Sequence, residues 1–442
     1  MHQSIRRLKS VPTVLCRAGA LSRELLLATI RLAAALKLRP SFRSGTDIQT
    51  SLGKTIVRFC ERLGPAYIKV GQILSTRQDL FPSKVIAELV RLQDRLPPVR
   101  RGEINAAFQA DFGMSLAQAF CEFDEQAVAT GSIASVYRAR MLDGKRVAVK
   151  IKRTGIDAIV SADLTLMRLG AHLLSFTPPF RSFPLKRAAA EISESIERQL
   201  DFSLEANSSC RLREALSWED GIVVPRLVDK LCSRSVITME MLEEFNCPFT
   251  SCRSPDRNLR TVLRALYRMI FVVGLIHCDL HPGNLRFVKN GGVAIVDFGF
   301  TSTLEYEQRL KFAEFFYSMA NGDGQRCAEI TIQTAIRVPL DLNYQLFEAQ
   351  VVALVARAKG VSTGRFNVAA FVAGLFEIQR RFRIVGTTSF LMPIISLLMI
   401  EGLAKRVAAD IDFQNEAQPY IFRASIRPVS QPQRSLAIRE SA

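Results

Sequence analysis

Asp279, Asn284 and Asp297 are the residues of this chain whose types and spacing point most directly to chemistry. Asp279 and Asn284 stand five apart in Gly274-Leu275-Ile276-His277-Cys278-Asp279-Leu280-His281-Pro282-Gly283-Asn284, and Asp297-Phe298-Gly299 follows thirteen residues later. An H-x-D-x-x-x-x-N loop supplies a carboxylate that takes or orients an acceptor's proton and an amide oxygen for a metal ion. Asp297 adds a second oxygen ligand, as hard Mg²⁺ bridging nucleotide phosphates requires. The bland reading is a core histidine at 277 and a D-F-G that merely ends a strand. It leaves unexplained why two of only four histidines, His277 and His281, fall in this loop. Nor does it explain Asp, Asn and Asp in this order. The pattern names a phosphate-handling site.

Several elements must position these groups. Leu285–Val288 and Val293–Val296 are short apolar runs joined by Lys289-Asn290-Gly291-Gly292, which predicts a β-hairpin returning Asp297 to Asn284. Upstream, Ala129, Thr130, Gly131, Ser132, Ile133 and Ala134 form a small-residue loop ahead of a strand, and Arg146–Lys152 reads as its return strand with Val-Ala-Val-Lys. Such a loop approaches phosphates through backbone N–H groups, and Lys150 reaches them as a point charge. Residues 186–216 read as one long helix on which Asp201 and Glu205 share a face. A helix-borne glutamate is needed to hold the strand lysine, though spacing alone does not choose among the acids. The strand Ser235–Met241, with Glu240, leads into a connection whose backbone would meet adenine. Residues 256–276 and 304–410 read as mostly helical.

Composition bounds the rest. The chain has 442 residues, 48% of them hydrophobic, enough for two lobes with proper cores. A formal charge of +17 suits an anionic partner, and without an RNA- or DNA-binding signature nucleic acid is not expected. Nine scattered cysteines with no C-x-x-C pair argue against zinc or disulfides and for a reducing compartment. No run of eighteen apolar residues predicts a transmembrane helix, and Phe390–Ile400 reads as a buried helix. No secretory signal is evident, although the acid-poor, Arg-rich start also resembles a transit peptide. Residues 1–45 carry nine Lys/Arg against the single acid Glu24, so a helix over Leu21–Leu38 is a candidate for an anionic membrane surface. The expected location is cytoplasmic and peripheral at the inner membrane.

Lys69 and Gln72, in Gly64-Pro65-Ala66-Tyr67-Ile68-Lys69-Val70-Gly71-Gln72-Ile73-Leu74-Ser75-Thr76-Arg77-Gln78-Asp79, read on physical grounds alone as a solvated helix face. The K-x-G-Q setting reverses that reading, because with the loops above it resembles the UbiB (AarF) family of atypical kinase-like proteins over roughly residues 50–415. The resemblance implies an α+β, two-lobed protein-kinase-like fold with an N-terminal helical extension. The expected division is a basic segment 1–45, the K-x-G-Q extension 46–120, an N-lobe 121–245, a C-lobe 246–422 and a disordered tail 423–442. It also implies ATP and Mg²⁺ as cofactors, Asp279 as base or orienter and Asn284 and Asp297 as metal ligands. Residues 129–134 become the nucleotide loop, Lys150 and Glu205 the lysine–glutamate pair, and Lys69 and Gln72 an extension folded over the acceptor's place. Two positions depart from the family pattern: Gln199 replaces the first acid of E-x-D, and Thr130-Gly131 stand where alanines are usual.

The expected function is Mg-ATP binding and hydrolysis, or phosphate transfer, supporting isoprenoid quinone biosynthesis at a membrane surface with quinone-biosynthesis proteins as partners. The rivals are a small-molecule phosphotransferase of the aminoglycoside or choline-kinase kind and a nucleotide-gated, non-catalytic scaffold.

Overall fold

The computed structural model describes residues 2–37, 45–75, 81–92, 101–178, 185–245, 254–288, 292–359, 367–407 and 411–424. Arg77 and Asp79 of the K-x-G-Q setting, residues 94–100 of the Pro-Pro linker, the hairpin turn at 289–291 and the tail from 425 lie outside these. The described chain forms two compact units, one holding residues up to 204 with 228–239, the other 205–227 with 240 onward.

The first unit opens with helices α1 (His2–Lys37), α2 (Gly45–Leu63), α3 (Pro65–Ser75), α4 (Ser83–Leu89), α5 (Arg101–Phe112) and the single turn α6 (Leu116–Ala119). Strands β1 (Phe120–Phe123), β2 (Ala129–Thr130), β3 (Ala134–Met141) and β4 (Arg146–Lys152) follow, then α7 (Ile156–Leu174) and α8 (Leu185–Gln199). The chain continues through α9 (Phe202–Leu216) and β5 (Ile222–Val223) before β6 (Val236–Glu240). The sheet order is β1-β3-β4-β6, with β2 also on β3, and β3 and β4 pair from Ala134↔Lys152 to Arg140↔Arg146. Every residue of β4 after Arg146 is buried, so it reads as a near-continuous apolar run rather than an alternation. Ile104 and Phe108 of α5 join Phe120, Tyr137, Val149, Ile151 and Val236 in this unit's core.

One sequence expectation is corrected here. Residues 186–216 are two helices, broken at Leu200–Asp201. Lys152 Nζ donates to the Leu200 carbonyl at 3.0 Å, and the Asp201 carboxylate accepts from Ser203 N–H and Oγ at 3.1 and 2.5 Å. The Phe202 N–H goes to Arg234 O at 3.3 Å. An Asp bonding its own backbone two residues on competes with helix continuation. Asp201 therefore stands ahead of α9 and shares no helical face with Glu205, which lies in that helix's first turn.

In the second unit α10 (Pro255–Tyr267) starts on a proline and runs into a π-helical turn, Arg268–Val273. Short strands β7 (Leu275–His277), β8 (Leu285–Phe287), β9 (Val293–Ile295) and β10 (Thr301–Thr303) precede α11 (Tyr306–Asn321) and α12 (Gly324–Gln333). After these come β11 (Ala335–Arg337), α13 (Tyr344–Lys359), α14 (Val368–Arg381), β12 (Val385–Gly386), α15 (Thr388–Arg406) and α16 (Phe413–Ala424). Leu259, Val262, Leu263 and Leu266 recur at helical spacing and are fully buried. On α15, Leu391, Ile394, Ile395, Leu397 and Ile400 are buried, which makes Phe390–Ile400 the core helix expected. Among the described residues no helix is long and apolar enough to cross a membrane.

Candidate active site

The second unit assembles the 277–284 loop from strand pairing. β7 pairs antiparallel with β10, placing Thr301 opposite His277, and Cys278 N–H donates to Phe300 O at 2.9 Å. β8 and β9 pair antiparallel from Leu285↔Ile295 to Phe287↔Val293, the expected hairpin. The Asn284 side-chain Nδ2 donates to the Asp279 carbonyl at 2.9 Å, while Val296 N–H donates to the Asn284 carbonyl at 2.9 Å. These bonds bring Asp279, Asn284 and the segment before Asp297 into one cluster. Because the Asn284 nitrogen is committed to that carbonyl, its amide oxygen is the end left to accept or coordinate.

His277 sits beneath the cluster, fully buried. Its Nδ1 accepts the Asp279 N–H at 3.1 Å, so the neutral ring carries its proton on Nε2, 3.4 Å from the Val296 carbonyl. Burial pulls its pKa below the ordinary value, against the upward pull of the Asp279 and Asp297 carboxylates. Phe298 packs edge-on to this ring at 5.2 Å, tying the D-F-G segment to the loop. His281 Nδ1 accepts the Gly283 N–H at 2.9 Å, and its Nε2 lies 3.7 Å from Asp279 Oδ2.

Asp297 is exposed, with φ of 60°, one of two non-glycine residues at positive φ among those described. Strain of this kind persists only where surrounding structure fixes it, and here it turns the carboxylate so that Oδ1 accepts the Gly299 N–H at 3.2 Å. Glu205 is buried and approaches the same glycine, with its Oε2 3.0 Å from where a Cβ on Gly299 would stand.

In the first unit Lys150 is 8% exposed, and its Nζ lies 5.2 Å above the Phe202 ring centroid. The loop before β3 is a tight closure: Gly131 N–H donates to Ala134 O at 2.8 Å. Arg153, three residues beyond Lys150, donates from Nε and Nη2 to the Gly131 carbonyl at 3.1 and 3.0 Å, and from its backbone N–H to Ile133 O at 2.9 Å. Both polar backbone groups of Gly131 are thus engaged within the protein, and Ser132 is 1% exposed. Sequence reasoning passed over Arg153 and Phe202. The signal for the arginine was its place directly after β4, the strand that carries Lys150.

Lys69 and Gln72 lie half-buried on α3 rather than on a solvated face, and α3 packs against α2, α4, α7 and α8. Gly71 explains the glycine of K-x-G-Q. A Cβ there would stand 2.2 Å from Leu92 Cδ1 and 3.2 Å from Cys60 Sγ, so a larger residue would have to turn the Leu92 side chain aside and crowd Cys60. Glu240 ends β6, exposed, exchanging bonds with Arg226: its N–H donates to Arg226 O at 2.8 Å and its carboxylate accepts Arg226 N–H at 3.3 Å.

The model of the ABC1 atypical kinase-like domain matches residues 91–331. The chain belongs to the ABC1 atypical kinase-like family. Its similarity to curated members runs over most of its length. An uncharacterized Synechocystis protein, slr0889, is 30% identical over 342 residues, covering 74% of this chain and 84% of that protein. The probable protein kinases UbiB of Aeromonas hydrophila and Cellvibrio japonicus are 28% and 27% identical, covering 82% and 90% of this chain and 68% and 74% of theirs. Among solved structures, the complex of Rv3197 with erythromycin from Mycobacterium tuberculosis aligns with a TM-score of 0.54 at 19% identity, over 81% of this chain and 93% of that one. That likeness establishes the fold, which is the kinase-like α+β architecture of the ABC1 family preceded by helices.

Proposed function

We propose that this chain binds Mg-ATP and hydrolyses it, or transfers its terminal phosphate, in support of isoprenoid quinone biosynthesis at a membrane surface. The observation that carries the reading is the bonded cluster of Asp279, Asn284 and the Val296–Asp297 segment. Its donor set, a carboxylate oxygen and an amide oxygen with a further carboxylate beside them, suits a hard divalent cation. Asn284 and Asp297 would hold Mg²⁺, whose charge neutralises the phosphate oxygens when bound. Asp279 orients the attacking hydroxyl or water and receives its proton, held in place by His277 through its backbone N–H. Lys150 serves the α- and β-phosphates with Glu205 as its partner, residues 129–134 cover the phosphates, and the chain at Glu240 meets adenine. Lys69 and Gln72 close the acceptor's place. The quinone role is supported by family membership and by the UbiB relatives.

The test is Mg-dependent phosphate release from ATP by the purified protein, with and without anionic vesicles. Turnover that needs Mg²⁺ and Asp279 supports the reading. Binding without release in every condition would favour a nucleotide-gated scaffold, and rapid transfer to a small aminoglycoside or choline acceptor would favour the phosphotransferase alternative.

A further inference from the structure

Helix α1 has its polarity inverted. Arg17 and Glu24, seven residues apart and so on one face, both turn inward. Arg17 makes a two-bond pair with Asp163 of α7 at 2.6 and 2.7 Å and donates to Leu63 O at 2.5 Å. Glu24, the only acid among the first 45 residues, is 2% exposed beside Arg23 and Arg62. The opposite face carries Leu15, Leu26 and Ile30, which are 68%, 61% and 55% exposed, with Gly19 and Ala33 also exposed between and beyond them. An ordinary surface helix would have these two faces exchanged. The neighbouring α2 presents Lys54, Arg58 and Arg62, all exposed at helical spacing, with Glu61 the single acid among them.

We propose that the outward face of α1 lies in an anionic lipid surface, with Leu15, Leu26 and Ile30 entering the headgroup–acyl boundary and the α2 basic row meeting the headgroups. This deepens the membrane location in the reading above and does not depend on ATP turnover. Two features select a lipid surface over a second copy of the chain. Withdrawal of Glu24 into the protein removes the one negative group of α1 that would repel headgroups. The exposed charge along this helix pair is almost all positive, which a second copy would meet with like charge. The helix lies on the bilayer rather than through it, since no described helix is apolar enough to cross.

The experiment is flotation of the full chain with vesicles of phosphatidylcholine alone or containing about one-third phosphatidylglycerol. Wild type is expected to float with the anionic vesicles and to be released by salt. A triple variant, Leu15→Gln, Leu26→Gln and Ile30→Gln, is expected to lose partitioning by about tenfold or more at an unchanged melting temperature. Lys54→Ala with Arg58→Ala is expected to weaken anionic binding alone. Failure of wild type to float, or flotation of the triple variant as well as wild type, overturns the proposal. So does a wild-type dimer that the triple variant dissolves. Asp297→Asn, which bears on nucleotide chemistry, should float like wild type, so a failed ATPase reading and a failed docking surface are distinguishable.

Discussion

The carboxylates of Glu205 and Asp297 converge on the backbone of Gly299: a Cβ built there would lie 3.0 Å from Glu205 Oε2 and 3.1 Å from Asp297 Oδ1. The glycine of D-F-G is therefore a spacing requirement between two acids. In the proposed site Asp297 holds the cation, so its separation from Glu205 sets how close the second negative charge stands to that cation.

Gly299→Ala should consequently weaken Mg-ATP binding by about tenfold, near 1.4 kcal/mol, while the protein melts within a few degrees of wild type. Calorimetric titration beside a thermal melt checks this. Unchanged affinity would mean that neither carboxylate is fixed by its neighbour.

Much of this site was legible in the sequence, because Asp279, Asn284 and Asp297 sit in one continuous stretch whose geometry is set by local pairing. The 285–295 hairpin was readable from its apolar runs and Asn-Gly-Gly. The break at Leu200–Asp201 was not, since it depends on Lys152 and Arg234, which arrive from β4 and from just before β6. The clamp by Arg153 on Gly131 was hidden for the same reason: a backbone carbonyl leaves no mark in a sequence. The inverted polarity of α1 was only half visible. Its composition showed a basic helix, but which face carries Arg17 and Glu24 inward is decided by Asp163 and Arg62.

Arg153→Lys should loosen the loop at 129–135. A lysine keeps the charge but cannot place two N–H groups on one carbonyl. Hydrogen exchange of those amides should quicken, by a factor of about ten for a lost bond of about 1.4 kcal/mol, with β4 protection unchanged. Identical exchange in both proteins would show that the ladder alone fixes the loop.

Arg17→Ala should strip α1 from its seat. It leaves Asp163 buried without its partner, and burial already raises that carboxyl's pKa despite Arg17. The expected loss is about 3–5 kcal/mol of local stability. Arg17→Met combined with Asp163→Leu should recover most of it, because two apolar groups leave no buried charge. Limited proteolysis of α1 reads both outcomes, and a double variant as labile as the single would contradict the pairing.

Glu416 gives a pH signature in the second unit. Burial pushes its pKa up, but bonds from Arg264 and Arg260 at 2.7 and 2.9 Å outweigh that and hold it below the ordinary value. A depressed carboxyl contributes stability above its unfolded pKa, about 4.3, and loses it as pH falls through the folded value. At neutral pH Glu416→Gln should cost about 1 kcal/mol, discounted for the half-exposed arginines. The gap between variant and wild-type melting temperatures should close as pH falls below about 4. A gap that stays constant down to that pH would remove the ion pair from the account.

The central measurement is calorimetric titration of ATP into the wild-type protein and into Asp297→Asn, each with and without Mg²⁺. Saturable, Mg-dependent binding by wild type that Asp297→Asn loses is the result expected of a cation held between Asn284 and Asp297. Equal Mg-ATP affinity in the two proteins would contradict it.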